Sequence, residues 1–354
     1  MYACYCILNY FRENLLNSLY LLVLKSLHCI MYILKNRRKS DFMDWKKIYS
    51  SRSGILILAT ICCFLWGSAY PAIKVGYSLF NIASEDIAGK LLFAGYRFAL
   101  AGIIILIFLL IKKENILRVS KKDVGKMAIL GLVQTTLQYT FFYVGLAYTT
   151  GVRGAILNGT GTFFSIIIAH FIYKNDKISF NKAIGCIIGF LGVILVNFNG
   201  SSIIGDGNIT LKGEGFVIIA AILSSIAAIY SKRITKNISS SLITGYQLFI
   251  GGIILIFVGI ICGGKIVGFN YKSSILLLYM ALLSSISFVI WTQLLKYNKV
   301  SKISAFNFLI PIFGTILSGI FLGEDIFNYK VIISLFLVSL GIYVIYREKD
   351  KVIN

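Results

Sequence analysis

Ten apolar stretches of about 20 residues each fill most of the chain beyond residue 53, and they constrain its fold more than any other feature. They lie near 54–77, 91–111, 127–148, 152–173, 182–199, 213–234, 242–263, 274–297, 301–323 and 328–346. A helix rising ~1.5 Å per residue crosses ~30 Å of hydrocarbon in that length. Soluble domains average about 45–50% apolar and 25% charged residues, whereas this chain has 58% and 14%. Lipid is the solvent that such a composition needs. The reading is an all-α integral membrane protein of ten transmembrane helices.

A net charge of +21 in a soluble protein would point to nucleic acid. Here its distribution points to a membrane instead, with lipids and no nucleic acid as surroundings. If the N-terminal side is cytoplasmic, 25 of the 35 Lys and Arg residues fall in cytoplasmic segments and six in outer loops. Cytoplasmic loops concentrate Lys and Arg. The split therefore predicts a multi-pass protein of the plasma or inner membrane with both termini cytoplasmic. Residues 1–53 form a basic lead. Its stretch 15–34 is apolar but interrupted by Lys25 and His28. Met43 opens a short basic run into the first strong span, so initiation at Met43 is the preferred reading. An extra membrane or interfacial helix is the alternative. The seven cysteines form no CxxC pair and mostly sit in apolar runs, giving no ground for a metal or disulfide framework.

Residues 148–176 slide onto 297–325 without gaps, pairing Tyr148 with Tyr297, Asn158 with Asn307, Phe164 with Phe313, Ile167 with Ile316 and Asp176 with Asp325. Duplication implies repeats of five spans, at 54–199 and 213–346, joined by an outer linker 200–212 and followed by a tail 347–354. Five is odd, so the copies enter the membrane in opposite senses. Two inverted repeats with a site near the midplane are a recurring plan of secondary transporters.

The order of motifs resembles the EamA-type members of the drug/metabolite transporter superfamily over about residues 54–346. The resemblance rests on FLWGSAYPAIKVGY in the first span, GYRFALAG in the second and FFYVGLAYTTGVRGAIL across the third and fourth. GEGFVIIAAILSS opens the second repeat, and FLIPIFGTILSGIFLGED forms the ninth span. The fourth span departs from the family with NGTGTFF in place of a proline, and its end reads YKND rather than Gly-Glu. The resemblance implies a transporter of small metabolites, amino acids or amphiphilic toxins, exporting more often than importing.

Ionised groups inside a span cost about 2.5–3.5 kcal/mol on insertion scales, so Lys74 and Arg97 stand out. By helix rise they lie ~5 and ~9 Å from the outer ends of their helices, where they suit a substrate carboxylate or snorkel to the interface. Gln134 and Gln138 share one face of the third span, and the repeat pair Asn158 and Asn307 enters from opposite faces. Trp66, with Tyr70 and Trp291, supplies aromatic surface. These side chains are the candidate lining of a substrate cavity. Pro71 and Pro311 are candidate kinks, and Gly185, Gly189 and Gly192 form a small-residue stripe for packing within the repeat or a homodimer seam. His170 reads as a packing histidine.

Glu214, near a helix end, is the candidate proton site; no carboxylate lies deep in a span. The sequence has no Walker loop, HExxH or GxSxG, so it calls for no enzyme activity, cofactor or metal. The preferred function is a secondary transporter that exports small metabolites such as amino acids or related amphiphilic compounds, working by alternating access around a central cavity between the repeats. The alternatives are a lipid or polyprenyl-phosphate flippase and, behind it, an intramembrane enzyme.

Overall fold

The computed structural model describes residues 45–114, 116, 119–149, 151–197, 210–322 and 329–347. Segment 15–34, Met43, most of the linker, Glu324 and Asp325 lie outside the described residues. A short helix, Trp45–Ser50, leads into ten passes. The first repeat holds α1 (Arg52–Leu79), α2 (Ile87–Ile111), α3 (Lys121–Leu130, a π-helical Gly131–Leu137 and Gln138–Ala147), α4 (Gly151–Gly159 and Gly161–Ile172) and α5 (Phe180–Asn197). The second holds α6 (a π-turn Leu211–Gly215, then Phe216–Ile234), α7 (Ser240–Ile261), α8 (Tyr271–Tyr297), α9 (Val300–Ser304, a 3-10 turn Ala305–Phe308, then Leu309–Leu322) and α10 (Tyr329–Tyr346).

Polar caps carry several helices beyond their apolar runs. Asp86 accepts the Gly89 amide at 2.7 Å and Ser51 the Gly54 amide at 3.1 Å. Asn270 and Ser273 form a reciprocal capping box at the start of α8. Among the described residues, seven helices are long and apolar enough to cross a membrane by length and composition, and Ile156–Ile172 and Phe180–Leu195 are shorter apolar helices. Large side chains remain exposed around the bundle, among them Ile107, Phe171, Phe257 and Phe336. In water so much exposed apolar surface would drive association; in lipid it is the solvated face.

Loops gather on two faces. On the basic one, Tyr49 stacks on Tyr297 at 6.3 Å, Asn298 donates to the Tyr49 carbonyl at 2.8 Å, and Lys232 donates to the Leu295 carbonyl at 3.0 Å. On the opposite face Phe80 meets Phe269 at 5.1 Å, and Thr149 donates to Glu214 at 2.7 Å.

Inversion of the repeats is written in the glycine contacts. A Cβ built on Gly102 would lie 2.4 Å from the Phe249 amide nitrogen, and one on Gly252 2.3 Å from that of Ala99. Ala99 and Phe249, like Gly102 and Gly252, are 150 residues apart, so α2 and α7 cross at a local two-fold axis. The stripe on α5 is used between repeats rather than within one or at a dimer seam. A Cβ on Gly185 would sit 2.6 Å from the Gly341 carbonyl, and one on Gly341 2.5 Å from the Gly185 carbonyl. Because the obstacle at Gly102 is backbone, Gly102→Ala is expected to cost about 1–3 kcal/mol, as overpacking does, seen as a lower melting temperature in detergent. Gly125, with nothing within 4 Å, is the control, and Gly125→Ala is expected to hold or raise it.

The irregular backbone coincides with one of the two prolines only. Pro71 lies inside an unbroken α1. In α9 the 3-10 turn Ala305–Phe308 precedes Pro311, which has no N–H to give the Asn307 carbonyl. α4 breaks at Thr160, between Gly159 and Gly161. Thr160 and Leu309 occupy matching places in the repeats, so the paired discontinuities are the glycine break of α4 and the 3-10 turn of α9.

Candidate functional site

Arg97 is the one strongly buried arginine among the described residues, at 3% exposure. Because Asp86 starts α2 four residues before the apolar run, Arg97 lies ten residues into the helix, ~15 Å by its rise, deeper than the apolar run alone suggests. Its Nε donates to Ser284 Oγ at 2.8 Å, and its guanidinium lies 4.9 Å from the Phe98 ring centre. No described carboxylate forms an ion pair with it. Four tyrosines from three helices, Tyr77, Tyr139, Tyr143 and Tyr279, surround this charge. Tyr279 is itself fixed by Ser68 at 2.6 Å.

An aromatic wall runs away from this cation. Phe98 packs on Tyr139 at 4.6 Å and on Phe288 at 6.3 Å; Trp66 meets Phe288 at 5.4 Å and Trp291 at 5.0 Å. Trp66 is half-buried, and its indole Nε1 is a buried donor without a partner. Tyr70 is half-buried against Gly314, where a Cβ would meet its ring at 3.1 Å. The side chains present are a buried guanidinium, phenols and one unspent indole N–H, which suit an anionic group attached to an apolar body.

The EamA-like transporter family profile matches residues 53–198 and again 211–347, one copy for each repeat. The chain belongs to the EamA-like transporter family. That makes this multi-pass membrane protein a transporter rather than an enzyme. It is similar to the uncharacterized transporter YoaV of Bacillus subtilis (strain 168), with 25% identity over 79% of this chain and 92% of YoaV. A WAT1-related chloroplastic protein of Arabidopsis thaliana is 23% identical over 76% of this chain and 64% of its own length. A crystal structure superposes with a TM-score of 0.68 over 83% of this chain and 96% of its own, at 14% identity, a likeness of fold alone.

Within this EamA-like transporter the sequence-predicted residues separate into groups. Arg97, Trp66 and Trp291 belong to one connected set. Lys74 is exposed and does not share the burial of Arg97. Gln134 and Gln138 are half-buried on the π-helical part of α3 and just after it. Asn158 is next to last in the first half of α4 and Asn307 lies in the 3-10 turn of α9, so both amides stand at the paired discontinuities, half-buried. Glu214 accepts from Thr149 Oγ1 at 2.7 Å and from the Thr210 amide at 3.0 Å, tying the start of α6 to the end of α3. His170 Nδ1 accepts the Ile178 amide at 2.9 Å, a structural bond. The residues that sequence reasoning missed are Tyr77, Tyr139, Tyr279 and Ser284. Tyr139 lies one position beyond Gln138, and only the local winding of α3 decides which side chain turns toward Arg97.

Proposed function

We propose that this protein is a secondary transporter of small amphiphilic metabolites bearing an anionic group, amino acids and related carboxylates among them, moved by alternating access between its repeats. Export is the proposed direction, and the basic face is proposed to be cytoplasmic, on the strength of its loop charge. The observation that carries the reading is Arg97. A guanidinium buried at 3% exposure and bonded at Nε to a neutral serine keeps its remaining donors for an anion. The wall from Phe98 to Trp291 supplies apolar contact for the rest of the cargo. Asn158 and Asn307 at the discontinuities are proposed to line the path, and Glu214 is the proposed proton site should transport prove coupled. A lipid-phosphate flippase would be better served by two basic groups acting together, but Lys74 is exposed where Arg97 is buried.

The test is efflux from proteoliposomes loaded with a mixture of amino acids, small carboxylates and permanently cationic amines, followed by mass spectrometry. Selective loss of carboxylate-bearing species is the expected result. Preferential movement of the cationic amines would overturn the assignment.

A further inference from the structure

The two-fold axis that relates α2 to α7 also relates α8 to α3, and two hydrogen bonds fix the register. Ser285 Oγ donates to the Ala101 carbonyl at 3.1 Å, and Thr136 Oγ1 donates to the Gly251 carbonyl at 3.1 Å. The same α-helical-pass contact is thus made once from α8 to α2 and once from α3 to α7. In that register the mate of Ser284 is Thr135, and the mate of Arg97 is Gln247.

The two mated pairs differ in one respect. Arg97 and Ser284 are hydrogen-bonded to each other, whereas Gln247 and Thr135 have no partners. Gln247 and Thr135 are each 1% exposed, and Gln247 Nε2, Gln247 Oε1 and Thr135 Oγ1 are all buried without a hydrogen bond. Thr135 packs on Gly251, one turn along α7 from Gln247. Buried polar groups are paired in the great majority of cases, so three orphan atoms together call for a reason. A second observation bears on the same place. Thr135 lies within the π-helical stretch Gly131–Leu137, while its mate Ser284 lies in regular α-helix within Tyr271–Tyr297. π-helical insertions concentrate at functional sites.

We propose that Gln247 and Thr135 form a second cargo subsite, the two-fold mate of Arg97–Ser284, that is exposed toward the basic face when the repeats exchange conformations. Arg97 lies on the opposite-face side of the α2–α7 crossing and Gln247 on the basic-face side, seven residues from the start of α7. The Gln247 amide N–H groups and the Thr135 hydroxyl offer donors to the two oxygens of a carboxylate, with no countercharge. The subsite therefore holds the anionic head more weakly than Arg97 does. This ligand assignment rests on the function proposed above; the exposure of the subsite does not.

The test has two arms. In a background with the native cysteines replaced by alanine, Gln247→Cys is treated with a membrane-impermeant maleimide from each face, with and without Asp176→Ala, which unties a basic-face contact. Separately, Gln247→Leu is assayed for melting temperature and for efflux of the carboxylate mixture. The proposal expects labelling from the basic face, faster with Asp176→Ala, and a Gln247→Leu protein that melts no lower than the parent yet loses efflux at least tenfold. Absence of basic-face labelling even with Asp176→Ala, or parental efflux by Gln247→Leu, would overturn it. If the parent itself moves no carboxylate, the proposed function fails, and the labelling arm still decides whether the subsite opens.

Discussion

Arg97→Met is expected to melt at or above the parent while losing carboxylate efflux by about two to three orders of magnitude. The two halves of this expectation have separate causes. Arg97 is buried without a described counter-ion, and replacing buried charge with apolar volume is often neutral or stabilising. Ser284 does not become an orphan, because its hydroxyl also donates to the Met280 carbonyl at 2.8 Å. For transport the balance reverses, since truncating one partner of a desolvated charge pair costs about 2–5 kcal/mol. Arg97→Lys separates charge from geometry. It keeps the cation but loses the planar fork that matches a carboxylate, so its efflux is expected to fall between parent and Arg97→Met. The measurement is initial efflux rate against protein density in proteoliposomes, beside melting curves of the same preparations. A Met variant that stays folded and transports at the parental rate would remove Arg97 from the cargo path.

How much of this was legible in the sequence follows from what each feature depends on. The ten passes were legible because crossing hydrocarbon requires length and apolarity, and both are local properties. Their starts were less so: α2 begins at Ile87 because the Asp86 side chain caps it, four residues ahead of its apolar run. Repeat pairing between α4 and α9 was visible through Asn158 and Asn307. The α2–α7 pairing was hidden because Arg97 and Gln247 are chemically unlike, and only the reciprocal contacts of Gly102 and Gly252 reveal it. Pro311 marks the 3-10 turn of α9, whereas the matching break of α4 has no proline and is flanked by glycines on either side of Thr160. Arg97 stood out as a costly charge in an apolar run. Its neighbours did not, since Ser284 and Tyr279 come from a helix nearly two hundred residues away.

The same dependence on distant partners governs the strongest electrostatic contact described on the basic face. Asp176, in the connection between α4 and α5, accepts Lys182 Nζ at 2.8 Å, the Ser301 amide at 3.1 Å and the Ser301 hydroxyl. Both ionic side chains are 1% exposed. The contact joins the first repeat to the first turn of α9 in the second, so it must yield if this face opens. Burial pushes the Asp176 carboxyl up, but hydrogen bonds from Lys182 and Ser301 and the charge of Lys182 together outweigh it and hold it below the usual carboxylate range. A depressed folded value means that its contribution to stability is present above the unfolded value of about 3.9 and is lost as pH falls through the folded one. Melting temperature is therefore expected to lose this contribution only under strong acid, and Asp176→Asn to flatten that part of the profile. Asp176→Ala at neutral pH leaves Lys182 buried beside a missing carboxylate and is expected to cost about 3–5 kcal/mol. Asp176→Leu combined with Lys182→Met removes both charges and is expected to recover most of that loss. If the double variant melts as low as Asp176→Ala, packing rather than the ion pair joins the two repeats on this face.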